Sequence, residues 1–369
     1  MKYRRQLFSI KKIFRPGSDG LFVAAVRENV RWHEENNPVY RKILQMKGFT
    51  ADMLEKIEDL GQLPFIPTMY FKGNDLNTLK KRIGIYTIRT SGTSGTSSAV
   101  NCESSALICL LKMAVSTCRQ HKLFSLKPVH YVILGYKPDK ENKAVAARTA
   151  LAASLLAPAR SRDYVIRNID GRLEADWEGI TAKIRKYSED GKPVRLIGFP
   201  ALGYFLMEKL EEKGCKDLLP KGSKMLLGGG WKQYWRQQVD REEFYRQAQE
   251  VLGLEKKDIV EFFSAGEHPI LYVACPHHHY HIPVYSRVLA RDVRTLQPLE
   301  KGKKGLLNFI TPLMKGAPIV SVVTDDLGSV NDNCPCGNPQ PYFEVLGRVG
   351  INEIRTCALE AEELAKEER

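Results

Sequence analysis

Tyr131-Val-Ile-Leu-Gly135 opens the stretch that decides the fold, because from here to Gly230 β-like runs alternate with helical ones. The segments in chain order are β-like Tyr131–Gly135, helical Ala144–Leu156, β-like Tyr164–Ile166, helical Trp177–Ser188, β-like Val194–Phe199, helical Ala201–Lys213 and β-like Lys224–Gly230. Such alternation is typical of a largely parallel sheet covered by helices. Ligands of these sheets collect beyond the carboxyl ends of the strands. The sequence therefore predicts an α/β fold with its site at that edge.

The flanking segments have a different character. Residues 1–100 are predicted to be mainly helical, with a helical run over 19–45 that Asn36-Asn-Pro38 interrupts. After about residue 258 the runs are shorter and strand-like, as in Ile259–Phe263, Gly305–Ile310 and Pro318–Val323. We therefore expect mixed β-sheets flanked by helices.

The composition is that of a folded globular protein. Hydrophobic residues make up 43% and charged residues 27% of the 369 residues, and the formal net charge is +13. That charge favours a polyanionic partner, which nucleotide phosphates, an acyl carrier or nucleic acid would equally provide.

Targeting signals are not visible in the sequence. No apolar stretch approaches the ~18 residues that span a bilayer. The basic segment Met1–Arg15 has no signal-peptide core, so we expect a cytoplasmic chain without integral membrane insertion. Its eight cysteines are then thiols, metal ligands or nucleophiles rather than disulfides.

The most informative motif is Arg89-Thr-Ser-Gly-Thr-Ser-Gly-Thr-Ser-Ser98, which follows the β-like run Ile83–Ile88. Glycines let successive N–H groups face one concavity, and hydroxyl side chains add donors, so the pattern predicts a phosphate-binding loop. It is not a Walker A loop, because no Gly-Lys-Ser/Thr follows. A flexible Ser/Gly linker is the alternative.

A second group of residues predicts a metal site. Cys275-Pro-His-His-His-Tyr-His281 is followed by Cys334-Pro-Cys-Gly337. Three thiolates and one imidazole, from Cys275, Cys334, Cys336 and His281, form a tetrahedral zinc set with no open position. We favour His281 because Ile-Pro-Val follows it, whereas the run His277–His279 is expected to be exposed. The alternative is a buried Cys275 beside a solvated histidine turn.

The word Thr90-Ser-Gly-Thr-Ser-Gly95 resembles the phosphate loop of the adenylate-forming superfamily, which includes acyl-CoA synthetases and luciferases. The resemblance continues in order along the chain through Phe263–His268, Thr324–Gly328 and Gly347-Arg348. It implies that Glu267 contacts the Mg²⁺ that accompanies ATP, that Asp326 binds the ribose and that Arg348 faces the nucleotide. The implied ATP-binding residues are Thr90, Ser91, Gly92, Thr93, Ser94 and Gly95, with Gly228, Gly229 and Gly230 in the adenine loop.

Further sequence motifs narrow the resemblance to one family. The chain is similar to the LuxE acyl-protein synthetases, which are related to phenylacetate–CoA ligases. The similarity lies in the motifs Leu63–Pro67, Phe71-Lys72 and Gly228–Lys232, in the cysteine and histidine motifs, and in a short tail with Cys357. The family implies ATP-dependent activation of a carboxylic acid, in the first place a fatty acid. It also implies acyl transfer to a cysteine, by position Cys357, and then to a partner acyl reductase.

The resemblance also implies a domain plan. Residues 1–348 form one adenylate-forming domain with a zinc-stapled subregion at about 260–340, and the usual mobile C-terminal domain is reduced to a helix-like tail over 349–369. The catalytic lysine of that domain is then missing, and Lys232 or Lys72 is a candidate for its electrostatic role. The alternative is that Cys357 is a small buried residue through which a terminal helix packs against the rest of the protein.

Two rival functions stay open at this point. A phenylacetate–CoA-ligase-like enzyme would pass the acyl group to coenzyme A or a carrier protein. A zinc-stapled nucleic-acid module would fit the charge, but no nucleic-acid-binding motif supports it, so we expect no nucleic acid. The identity of the acid and a possible homo-oligomer are not readable from the sequence.

Overall fold

The computed structural model describes residues 1–80, 83–89, 98–137, 145–169 and 172–348. Its helices are α1 (Lys2–Leu7), α2 (Asp19–Asn36), α3 (Pro38–Met46), α4 (Tyr70–Gly73), α5 (Ser104–Gln120), α6 (Val145–Ala153), α7 (Trp177–Asp190), α8 (Pro200–Glu211) and α9 (Arg241–Leu252). Short 3-10 helices cover Ala51–Met53, Ile57–Gly61, Lys232–Gln237 and Lys256–Asp258.

The strands form three sheets. They are β1 (Ile66–Pro67), β2 (Ile85–Arg89), β3 (Ala99–Glu103), β4 (Val129–Tyr136), β5 (Ala159–Ile169), β6 (Arg172–Ala175), β7 (Val194–Gly198), β8 (Lys224–Gly228), β9 (Ile259–Phe263), β10 (Tyr272–Val273), β11 (Tyr280–His281), β12 (Arg287–Arg291), β13 (Lys304–Ile310), β14 (Ser321–Asn331) and β15 (Tyr342–Arg348).

The seven-stranded sheet confirms the predicted α/β alternation. Its order is β10-β9-β8-β7-β4-β5-β6, and the five strands from β9 to β5 run parallel, with antiparallel β10 and β6 at the edges. Helices α7, α8 and α9 cover one face, and α5 and α6 contribute to the other. Because both faces are covered, the central strands are buried on both sides, as in Val194–Gly198, where even Arg195 is only 4% exposed.

The six-stranded sheet contains two of the shorter runs predicted after residue 258, whereas the third, Ile259–Phe263, is β9 of the seven-stranded sheet. The strand order of the six-stranded sheet is β11-β15-β14-β13-β12, with β1 pairing in parallel with β14. The largest apolar cluster joins this sheet to the N-terminal helices, and it includes Phe22, Tyr40, Phe309 and Phe343. The N-terminal helices therefore belong to the same core as the C-terminal strands.

Local sequence signals explain most element boundaries. The Asn36-Asn-Pro38 interruption separates α2 from α3, because the Asn37 side chain accepts the Tyr40 N–H at 3.0 Å and Pro38 occupies the first turn. Helix α7 runs to Asp190, beyond the predicted end, and stops at Gly191 with φ +65°. The main exception to the helical N-terminal region is the hairpin of β2 and β3.

A buried ion pair anchors that hairpin to the rest of the molecule. Arg4 Nη1 lies 2.5 Å from Glu103 Oε1 and 2.8 Å from the carbonyl oxygen of Leu313. The other carboxylate oxygen of Glu103 accepts the Lys315 and Gly316 N–H groups, each at 3.0 Å. One charge cluster thus connects α1, β3 and the segment after β13.

Removing one charge of this pair should strongly destabilise the protein. We expect Arg4→Met or Glu103→Gln to lower the free energy of unfolding by about 3 kcal/mol, since the remaining buried charge or polar group loses its partner. Urea unfolding followed by tryptophan fluorescence measures the change.

The matched control is Lys301→Met, which removes one member of an exposed pair with Asp332. It should change the unfolding free energy by less than about 1 kcal/mol. Equal effects of Arg4→Met and Lys301→Met would contradict the anchoring role of Arg4.

Candidate active site

Along one edge of β14, the paired strand changes from β1 to β15 at Asp325 and Asp326. Val322 and Val323 pair with β1, whereas β15 pairs from Asp326 onward. Thr68, directly after β1, donates its N–H to the Val323 carbonyl at 2.9 Å and its hydroxyl to Asp325 Oδ1 at 3.3 Å. The two carboxylates therefore lie where one strand partner ends and the next begins.

Asp326 and Arg348 are opposite each other in the register of β14 and β15. Arg348 Nε donates to Asp326 Oδ1 at 2.9 Å, and the Asp326 side chain is buried while that of Arg348 is 60% exposed. Arg348 also interacts electrostatically with Asp325 and Glu267. The structure thus brings together three residues that the sequence predicts for the nucleotide site.

Glu267 connects this group to the predicted phosphate loop. It is 5% exposed and lies four residues beyond the carboxyl end of β9. The fully buried Ser98 donates its hydroxyl to Glu267 Oε1. Ser98 is the last residue of the Ser/Thr/Gly motif, so the end of that motif is fixed beside the carboxylate.

Lys72 on α4 belongs to the same electrostatic neighbourhood. Burial raises the pKa of Asp325, and the positive charges of Arg348 and Lys72 oppose that shift. Lys72 is therefore close enough to Asp325 to act on its carboxylate electrostatically.

The glycine loop after β8 lies at the carboxyl edge of the parallel sheet. Gly229 and Gly230 have φ angles of +81° and +65°, which side chains other than glycine adopt with strain. Trp231 follows them and packs against Tyr204 at a ring-centroid distance of 5.7 Å. The backbone can turn sharply here, as an adenine-binding loop would need.

Several predicted residues lie outside the described part of the chain. These are the loop residues Thr90, Ser91, Gly92, Thr93, Ser94 and Gly95, the side chain of Lys232, and Cys357 with the whole 349–369 segment. Their predicted roles stay predictions.

Sequence reasoning assigned no role to Ser98, Thr68 or Asp325. Asp325 and Asp326 are neighbours on a strand, and their side chains therefore point to opposite faces. Only the position of β1 shows that Asp325 also meets a partner in the site, Thr68. The buried serine at the end of the motif gave no local signal, because its partner Glu267 is distant in sequence.

The four predicted metal ligands lie together. The ligand atoms of Cys275, His281, Cys334 and Cys336 are all within 4.8 Å of one another. The Sγ atoms of Cys275 and Cys334 are 3.7 Å apart, and His281 Nε2 lies 3.1 Å from Cys336 Sγ. Ligands about 2.3 Å from a tetrahedral ion are separated by similar distances, so this set fits a zinc ion.

Backbone groups orient the ligands. His281 Nδ1 lies 3.1 Å from the Gln340 carbonyl oxygen, which leaves Nε2 with its lone pair toward the thiols. The Cys334–Gly337 turn is closed by the Gly337 N–H bonding the Cys334 carbonyl at 3.0 Å, and Gly337 has φ +80°. The site is thus preformed by β11 and this turn.

Burial favours the neutral forms of Cys275, Cys334 and His281. It raises the pKa of Cys275 and raises that of Cys334 to about 12, and it lowers the pKa of His281. The imidazole is then neutral, and the thiols of Cys275 and Cys334 hold their protons until a cation replaces them.

The expectation that His277–His279 is an exposed run is wrong for His278 and only partly right for His279. His278 is 8% exposed, and its Nδ1 lies 2.8 Å from the Tyr245 hydroxyl of α9. His279 is half-buried, stacks on Tyr342 at 4.0 Å and approaches Cys334 Sγ at 3.1 Å. The aromatic rings of α9 and β15 provide the planar surfaces that bury these imidazoles.

Solved structures identify the class of fold. A 2-hydroxyisobutyryl-CoA ligase in an open conformation, in complex with 2-HIB-AMP and CoA, matches with a TM-score of 0.68 and 14% identity over 91% of this chain and 76% of that chain. The same ligase in its thioesterification state matches with a TM-score of 0.66 and 15% identity over 92% and 70%. The chain has the fold of an adenylate-forming ligase.

The family is also clear. The model of the family "Acyl-protein synthetase, LuxE" matches residues 16–365, and the chain belongs to this family. Curated relatives include the long-chain-fatty-acid–luciferin-component ligases of Vibrio harveyi, 27% identical over 90% of this chain and 85% of that protein, and of Aliivibrio fischeri, 24% identical over 90% and 86%. The resemblance inferred from the motifs is confirmed.

None of the described helices combines the length and the apolar character that crossing a membrane requires.

Proposed function

We propose that this acyl-protein synthetase activates a fatty acid with ATP, transfers the acyl group to Cys357 and passes it to a partner acyl reductase. The observation that carries the adenylation half is the convergence of Ser98, Glu267, Asp326 and Arg348 in an adenylate-forming fold. Long-chain fatty acids appear in the names of both relatives, which supports the choice of substrate.

The first step replaces a poor leaving group with a good one. A carboxylate oxygen of the acid attacks the α-phosphorus of ATP, the bond to the β-phosphate oxygen breaks, and diphosphate leaves. Charge builds up on the phosphate oxygens, so fixed cations and N–H donors next to them lower the barrier. Arg348, Lys72 and the Thr90–Gly95 loop are the groups of this chain that would face that charge.

Glu267 suits the site of a magnesium ion. Carboxylate oxygens are the ligands that Mg²⁺ prefers, and the ion supplies charge neutralisation at the phosphates when it is bound. Ser98 would hold Glu267 in one orientation, because its donor is fixed at the start of β3. Asp326, held by Arg348, offers a carboxylate oxygen to the ribose hydroxyls.

The second step forms a thioester. The thiolate of Cys357 attacks the acyl carbonyl, the bond to the AMP oxygen breaks, and AMP leaves with the electron pair. A second thiol on the partner reductase would then exchange with this thioester. The coenzyme A ligand of the structurally similar ligase is the observation that favours coenzyme A as an alternative acceptor.

Adenylation can be tested by acid-dependent exchange of labelled diphosphate into ATP across a panel of fatty and aryl acids. We expect exchange with fatty acids, and we expect Glu267→Gln to reduce its kcat on the order of 100-fold, because charge stabilisation in the transition state is lost. Asp326→Asn should mainly raise the KM for ATP.

Asp52→Asn is the matched control, since this aspartate pairs with Arg31 on the surface. It should leave the exchange unchanged. Absence of exchange with every acid, in a protein that still unfolds cooperatively, would contradict the proposed adenylation.

The acceptor can be tested with Cys357→Ser. We expect this variant to keep diphosphate exchange but to lose the acyl-protein adduct that intact-protein mass spectrometry detects in the parent. Cys215→Ser is the control, because Cys215 is a free thiol that is half-buried away from the metal cluster. Unimpaired transfer by Cys357→Ser to coenzyme A, with no adduct in the parent protein, would favour the alternative acceptor.

We also propose that Cys275, His281, Cys334 and Cys336 hold a structural zinc ion. Elemental analysis should find about one zinc per chain in the parent protein and in Cys215→Ser, and much less in Cys336→Ser. Removal of zinc by a chelator should lower the Tm, since binding energy of the ion is folding energy. Zinc-free protein with an unchanged Tm would refute this assignment.

A further inference from the structure

Helix α5 has apolar residues on the side that faces solvent as well as on the side that faces the core. Its inner side buries Ala106, Cys109, Met113 and Thr117. On the opposite side Ile108 is 57%, Leu111 67% and Val115 38% exposed. Their spacing of three and four residues places them in one stripe along the helix.

Exposed apolar side chains continue beyond the end of the helix. In the following turn, Phe124 is 47% and Leu126 is 95% exposed, and Leu155 beside them is 69% exposed. These three residues line one shallow groove, and the Ser125 N–H bonds the Leu156 carbonyl at 3.0 Å. The groove is therefore held in place by the backbone and is continuous with the chain that leaves α5.

Positive charges lie next to these side chains along the chain. Between Glu103 and residue 138 the sequence contains no aspartate or glutamate. Lys112 and Arg119 lie on the exposed side of α5, and Lys122 and Lys127 bracket Phe124 and Leu126. Among the described residues, none of these four cations forms an ion pair with a carboxylate.

We propose that this surface, termed the α5 patch, docks the protein on an anionic lipid bilayer. It consists of the apolar residues Ile108, Leu111, Val115, Phe124, Leu126 and Leu155 and the four cations around them. Apolar side chains next to lysines match the boundary between acyl chains and phosphate headgroups, where the lysine stems lie along apolar surface and the ammonium groups reach the phosphates.

The distribution of charge favours a bilayer over a protein partner. The centre of a protein–protein interface is depleted in lysine, whereas here Lys112 lies between Leu111 and Val115 on the same helix side. In a headgroup layer, lipid phosphates can pair with each of these cations at any position on the surface. Leu126, almost fully exposed between two basic residues, has the character of a side chain that enters the acyl boundary.

Docking would serve the proposed function without depending on it. A long-chain acid partitions into bilayers, so an enzyme held at the lipid surface meets its substrate there. Binding to vesicles is measured without ATP or catalysis, and its failure is therefore distinguishable from failure of the adenylation proposal.

The test is flotation of the full-length protein with vesicles of phosphatidylcholine alone or mixed with phosphatidylglycerol. We expect binding to the anionic vesicles only, and we expect it to fall at least about tenfold when the ionic strength rises from roughly 0.05 to 0.5 M. The affinity of the double variant Leu111→Ser, Leu126→Ser for these vesicles should be lower by at least about tenfold, since two apolar side chains no longer enter the lipid.

Met46→Ser is the matched control, because Met46 on α3 is 58% exposed and lies outside the α5 patch. It should bind like the parent protein, and both variants should unfold at the parent Tm. No binding of the parent to anionic vesicles would overturn the proposal. Self-association that the double variant abolishes, without vesicle binding, would assign the surface to a second copy of the chain instead.

Discussion

The buried ion pair of Arg4 and Glu103 is the constraint on which the architecture of the site depends. Glu103 ends β3, and Ser98 lies directly before the same strand. One end of β3 is thus tied to α1 and to the segment after β13, while the other end bonds Glu267. Because a buried charged pair tolerates little displacement, the Ser/Thr/Gly motif is connected to a fixed strand on its C-terminal side.

The Cys/His cluster of Cys275, His281, Cys334 and Cys336 is a second connection between distant segments. It joins the segment that follows β10 to the turn before β15. The first segment comes soon after Glu267, and the second lies between Asp326 and Arg348. Both β10 and β11 are only two residues long, so few ladder hydrogen bonds hold this region. A metal ion there would replace the cooperativity that longer strands provide elsewhere.

The sequence predicted the features that depend on local pattern. Alternating apolar runs identified the parallel sheet, and the order of the motifs indicated that Glu267, Asp326 and Arg348 belong to one site. Burial of His278 could not be predicted, because Tyr245 and its helix are distant in sequence. The exposure of Leu111 could not be predicted either, since α5 has apolar residues on both sides and periodicity does not show which side the core covers. Contacts between distant segments decide all of these cases.

The pairing of β1 with β14 has a consequence for the order in which the molecule is made. Ile66 is synthesised well before its partner Val322. Thr68 and the N-terminal helices therefore reach their final neighbours only after β14 has been synthesised. Contacts so far apart in sequence slow folding, because the intervening chain must be closed into a loop first. The parallel sheet, whose strands lie closer together along the chain, can form before β14 is available to pair with β1.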